Sequence, residues 1–287
     1  MYTLFRTIIL TCLLPALAYN AYGQSCHDLK QLLDEGNLVE ASLLAEENIN
    51  NPSATCLNLV GEVYLRKGFS EKALEIFEKA LANTDSDEVK ATSLNKVALA
   101  AWSLGDNNKA LDFMLPALEM RKKLGDKKLL AAAYNDFGLI QSNSDQQAAL
   151  DQYLKAQDLY EGMGAEMDKV ALLKINIANI YSQLEFYGDA ILNLEEALDI
   201  TSKLYPEVLT TEGFIYLTLG NTYYEMGNSE ESITYLKKAL DLYQNLHKEK
   251  HPDIARVLNR IGNIENRDGK FEEALAYYQR ALIANSS

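Results

Sequence analysis

Apolar residues recur along this chain at helical intervals, interrupted by short Gly, Asn and Asp stretches. In "LVGEVYLRKGFSEKALEIFEKAL" the apolar set falls on one face before Gly68 and on one face after it, which predicts two helices joined by a tight turn. The same order of residues then repeats. A small residue is followed three positions on by an aromatic or small one, then by a turn glycine, then by a second helix marked alanine, large apolar residue, alanine. The first copy is Gly61, Tyr64, Gly68, Ala73, Phe77, Ala80. The second is Ala98, Ala101, Gly105, Ala110, Met114, Ala117, and the third runs from Gly138 to Ala149, Tyr153 and Ala156 with one residue fewer in the turn. Ala178, Tyr181, Ala190, Leu194, Ala197 form the fourth copy and Gly220, Tyr223, Gly227, Ser232, Leu236, Ala239 the fifth. Gly262, Gly269, Ala274, Tyr278 and Ala281 close the series.

Helix packing explains the pattern. A small residue at a crossing lets two helices approach closely, and the large residue opposite fills the space beside it. One such pair has too little core to stand alone, so neighbouring pairs stack. The pattern resembles the tetratricopeptide repeat. The resemblance implies an all-α, right-handed superhelical solenoid of antiparallel helix pairs, with repeats starting near 54, 91, 131, 171, 213 and 255. A degenerate copy through Gly36 and Ala41 extends it over 24–53, so that 24–287 reads as one solenoid. Marker spacings of 37, 40, 40, 42 and 42 residues exceed the family's usual length and predict helices about one turn longer. Long repeats of this kind resemble those of kinesin light chain and of bacterial sensor and caspase-like fusion proteins. Polar stretches such as "NTDSDE", "LGDNNKA", "MGNSEES" and "RDGKFEE" supply helix caps and acidic first turns.

Residues 1–23 read differently. Arg6, the apolar run 7–18 broken by Pro15, and the small residues Ala21 and Gly23 match a secretory signal peptide, too short to span a bilayer. Export to a periplasm or the cell exterior is expected, with no membrane span after cleavage. Cys12 leaves with the signal, while Cys26 and Cys56 remain as an even pair in an oxidising compartment and are expected to bridge. Lipidation of Cys26 is the alternative; "GQSC" lacks the leucine expected three residues before a lipidated cysteine. The net charge of -14 repels phosphate backbones and anionic headgroups, so nucleic acid is not an expected partner.

The sequence offers little chemistry. His247 and His251 are spaced as two ligands on one helical face, but Lys248 stands where a zincin carries glutamate and Pro252 interrupts the helix, so no metal is expected. No Gly-x-Ser-x-Gly elbow, nucleophile–base pair or phosphate loop occurs, so no catalytic residue or cofactor is expected and the chain reads as a non-enzyme. "HPD" at 251–253 matches the loop signature of J-domains, yet the small basic domain that carries it there is missing. Here Pro252 suits a first helical position and Asp253 the helix dipole.

Function is expected where the repeat family binds its partners, in the concave groove formed by first helices. The family's groove positions carry Asn95 and Trp102, then Asn135, Asn179, Asn221 and Tyr224, and finally Arg256, Asn259, Arg260 and Asn263. Asparagine amides both donate and accept, so a row of them suits an extended peptide backbone. The same residues also suit a wet surface that contacts the next repeat. The arginines favour an acidic segment. Asn179, Arg256 and Arg260 match part of the carboxylate clamp in the family's chaperone-binding branch, while Ile175 and Thr218 replace two residues it requires. The leading reading is an exported scaffold for a peptide or protein segment, able to self-associate through its last repeat. A regulatory module serving a separate kinase or caspase-like protease is the alternative.

Overall fold

The computed structural model describes residues 23–285 apart from 85, 165, 205–208 and 248–249; the apolar leader lies outside the described residues. Regular structure among the described residues is entirely helical. Two compact units divide the chain, with the boundary between Asp136 and Phe137. The first holds α1 (23–34), α2 (Leu38–Glu47), α3 (Ala54–Arg66), α4 (Ser70–Ala82), α5 (Asp87–Ser103), α6 (Asn107–Leu124) and the start of α7 (Lys127–Gln141). The second holds the end of α7, α8 (Gln146–Glu161), α9 (Met167–Gln183), α10 (Tyr187–Lys203), α11 (Leu209–Glu225), α12 (Ser229–Leu246), α13 (Pro252–Arg267) and α14 (Phe271–Ala284).

In the first unit α3 packs on α4 and α5 on α6; in the second, α9 pairs with α10, α11 with α12 and α13 with α14. The small markers sit at these crossings. A methyl group at Gly61 would lie 2.4 Å from the Phe77 ring, and one at Gly220 2.6 Å from Leu236. Tyr153 and Tyr278 approach Gly138 and Gly262 in the same way, each to 2.7 Å. Ser232, buried at the α11–α12 crossing, donates its hydroxyl to the Gly220 carbonyl at 2.6 Å, so that this buried hydroxyl is paired. From α5 onward helices run 14–18 residues, against 13 in α3 and α4, which accounts for the longer marker spacing.

Turn chemistry is equally regular. Gly68, Gly105, Gly227 and Gly269 hold left-handed backbone at the same place in their repeats, where a side chain would crowd the carbonyl. In the fourth repeat Glu185 occupies that place with φ 64°. The third repeat has the shorter turn, and its cap Asp145 accepts from Ala148 N–H at 2.9 Å. Asp106 and Asn228 cap α6 and α12 through the backbone N–H of Lys109 and Glu231. "NTDSDE" departs from expectation: Ser86 precedes α5 without a side-chain cap bond, and Thr84 Oγ1 accepts the Ser86 N–H at 3.2 Å. Asp87 and Glu88 still place acid in the first turn.

Cys26 and Cys56 stand with their Cα atoms 5.4 Å apart, within the range a disulfide spans. His251 is the N-cap of α13, accepting from Asp253 N–H at 3.2 Å, and Pro252 takes the first helical position. The triplet is a helix start.

Candidate functional site

The first helices of successive repeats lie side by side: α3 beside α5 in the first unit, α9, α11 and α13 in the second. The polar side chains on these faces are treated differently in the two units.

In the first unit most of them pair with one another, although the buried Asn58 Oδ1 has no hydrogen-bond partner among the described residues. Asn58 donates to Ser93 Oγ at 2.9 Å, and Asn95 donates to Asp136 Oδ2 at 2.7 Å. Asn95 is 8% exposed, so its amide is committed to the next first helix. Asn135 donates to Asp136 Oδ1 at 3.2 Å. Glu62 holds Arg66 at 2.8 Å and also pairs with Lys96. Burial pushes the Glu62 carboxyl upward, but Lys96 and Arg66 outweigh it and hold the group below the ordinary carboxylate range. Asp136 goes the other way: burial raises it against the opposing bonds from Asn95 and Asn135 and the charge of Lys96. A cavity of about 280 Å³ opens here, lined by Lys30, Asp34, Asn58, Glu62, Arg66 and Lys96. Trp102 is half-buried on the last turn of α5.

In the second unit the face retains unused valence. Asn179 on α9 and Asn221 on α11 are half-buried, Asn259 on α13 is exposed, and none makes a side-chain hydrogen bond among the described residues. The Asn221 Oδ1 atom is itself buried and unpartnered. Ser182 and Thr222 join α9 to α11 through their hydroxyls at 3.1 Å. Tyr224 sits between two arginines, with Arg267 4.0 Å and Arg260 5.5 Å from its ring centre. Arg267 is otherwise engaged, donating to the Tyr224 carbonyl at 3.2 Å and to Ser229 Oγ at 3.0 Å. Arg256 pairs with Asp253 at 3.2 Å. Arg260 has no carboxylate partner among the described residues; the Tyr224 ring is its recorded contact. Asn263 accepts from the Tyr278 hydroxyl at 2.9 Å and is held toward its own second helix.

The sequence-expected residues therefore separate into two groups. Asn95, Asn135, Arg256 and Asn263 are tied to neighbours, whereas Asn179, Asn221, Tyr224, Asn259 and Arg260 offer amide, aromatic and guanidinium groups on three successive first helices. Sequence reasoning passed over Lys96 and the Ser182–Thr222 contact. Their signal lay in the same helical columns, one repeat apart.

A family model described as tetratricopeptide repeat matches residues 89–162 and 211–282, together half of the chain. No curated protein matches. Among solved structures, BtubC (BKLC) from P. vanneervenii is similar at 24% identity over 75% of this chain and 87% of that one, with a TM-score of 0.61. A Rap protein complexed with competence and sporulation factor is similar at 12% identity over 92% and 76%, with a TM-score of 0.69. NprR in complex with its cognate peptide NprX is similar at 15% identity over 92% and 79%, with a TM-score of 0.63.

Proposed function

The chain belongs to the tetratricopeptide repeat family, and from that premise we propose that it is a non-catalytic scaffold holding an extended peptide or protein segment across α9, α11 and α13. The observation that carries this reading is the unpaired polar set on that face. Asn179 and Asn259 can donate to and accept from a peptide backbone whatever its side chains, Asn221 adds a half-buried amide whose nitrogen can donate, and Tyr224 offers an apolar surface. Arg260, without a carboxylate of its own, selects an acidic segment. The overall charge of -14 disfavours an acidic ligand at long range, but at contact distance one desolvated guanidinium outweighs distant charges screened within about 8–10 Å. The likeness to NprR, solved in complex with its cognate peptide NprX, and to a Rap protein complexed with competence and sporulation factor supports a bound segment in this fold.

The same proposal places the protein outside the cytoplasm. The leader at 7–18 and the approach of Cys26 to Cys56 both support an exported chain with one disulfide.

Selection of a random peptide library on the purified protein tests the site. Enriched peptides are expected to be extended and acidic and to lose at least about tenfold in affinity, about 1.4 kcal/mol, on Arg260→Glu or Asn221→Ala. Enrichment that is indifferent to both substitutions would place the site elsewhere.

A further inference from the structure

The end of α12 and the start of α13 bring two imidazoles and a carboxylate together. α12 ends at Leu246, so His247 is already outside the helix, in extended backbone. His251 caps the next helix, and the two imidazoles lie face to face with centroids 3.5 Å apart and planes 3° from parallel. Asp253, in the first turn of α13, brings its Oδ2 to 3.4 Å from His251 Nδ1. Donor atoms of the three side chains all lie within 4.8 Å of one another. The two histidines do not share a helical face; His247 ends α12, His251 starts α13, and their rings meet there.

We propose that His247, His251 and Asp253 form a binding site for a borderline divalent transition ion of the zinc class. The donor set, two imidazoles and one carboxylate, suits zinc, cobalt, nickel or copper rather than calcium or magnesium, which prefer oxygen alone. The spacing fits as well. Ligands about 2.0–2.1 Å from a tetrahedral ion stand about 3.4 Å apart, which is the His251–Asp253 separation. His247 supplies the second observation: its Nε2 atom is buried and has no hydrogen-bond partner, a state that costs free energy and that a metal bond relieves.

Binding exchanges one weak contact. The ion takes His251 Nδ1, which now accepts the 3.2 Å bond from Asp253 N–H, and Asp253 Oδ2. The His247 ring turns out of the parallel stack so that its donor nitrogen closes on the ion. Three protein ligands leave at least one position for water or for a group from outside the chain. Tyr243 stacks against His247, at 6.2 Å between centroids, and Arg256 holds the other oxygen of Asp253, so both ligands are braced.

Cobalt titration of the purified, untagged, EDTA-stripped protein tests the site, with competition by zinc. One equivalent of Co²⁺ is expected to bind, with visible absorption bands of a four- or five-coordinate ion that zinc abolishes. His247→Gln, His251→Asn and Asp253→Asn are each expected to weaken binding about 10- to 100-fold. Asparagine is itself a preferred N-cap, so His251→Asn removes the ligand while keeping the helix start, and circular dichroism verifies the fold. His27→Gln, the remaining histidine, is expected to leave the titration unchanged. Absence of the visible bands, or bands that survive replacement of both His247 and His251, overturns the proposal.

Discussion

Alanine at position 61 tests the packing logic on which every repeat depends. The new methyl carbon would stand 2.4 Å from Phe77 Cε1 and 2.6 Å from Cδ1, against about 3.5–4.0 Å for carbons in comfortable contact. Phe77 is fully buried in the core of the first unit, so the ring has no open side to move into. Overpacking of this kind costs about 1–3 kcal/mol. Alanine is also the better helix former, by about 1 kcal/mol in a helix interior, which offsets part of the strain. Contacts of 2.4 and 2.6 Å place the strain in the upper part of that range, at about 2–3 kcal/mol, so a net loss of about 1–2 kcal/mol is expected. The readout is urea unfolding followed by tryptophan fluorescence, since Trp102 is the chain's single tryptophan and lies in the same unit. Gly188→Ala is the control: it lies in α10 with nothing within 4 Å of the added carbon, so helix propensity acts alone and a gain of about 0.4–1 kcal/mol is expected by circular dichroism. Combining Gly61→Ala with Phe77→Leu should cost less than the two single losses added together. A neutral or stabilising Gly61→Ala would refute the close crossing as the reason for the small marker.

Four further outcomes follow. Glu185→Gly relieves left-handed backbone at a non-glycine residue and is expected to raise stability by about 0.5–1 kcal/mol in thermal melts, whereas an alanine there should not. Replacing Cys26 and Cys56 by serine opens a loop of 30 residues and should cost about 3–4 kcal/mol; intact mass with and without reductant, differing by two hydrogens, establishes whether the bridge forms. His247 titrates below its ordinary value of 6.5, so the unfolded chain takes up that proton first as the pH falls. Stability is therefore lost from about 6.5 downward to the folded value, and His247→Gln should flatten that segment of a pH–stability curve. Asp136→Asn removes a carboxyl that burial disfavours in its charged form, and should reduce the fall in stability as the pH rises through the raised value.

Much of the fold is legible in the sequence because close helix crossings tolerate few residue types. Gly61, Gly138, Gly220 and Gly262 each face a large side chain at a distance no Cβ could share, so the pattern of small and large residues reports contacts directly. Turn positions are legible for a similar reason, since left-handed backbone selects glycine; Glu185 escapes because propensity yields to the rest of the repeat. The binding face is only half legible. Asn95 and Asn221 stand in related columns and look alike in the sequence. Asn95 is consumed by Asp136, 41 residues on, while Asn221 keeps a buried, unpartnered oxygen. That difference depends on whether the next repeat presents a partner at hydrogen-bond distance, which column position alone does not fix. The histidine cluster was obscured for another reason: spacing rules for metal ligands assume one continuous helix, and here the two histidines belong to the end of one helix and the start of the next.

The central claim is that a peptide lies across α9, α11 and α13. Hydrogen–deuterium exchange of the purified protein, with and without a peptide enriched in the library selection, tests it most directly. Added peptide is expected to slow exchange in α9, α11 and α13, and Arg260→Glu to abolish that protection. Protection confined to α3 and α5, or none at saturating peptide, would contradict the account.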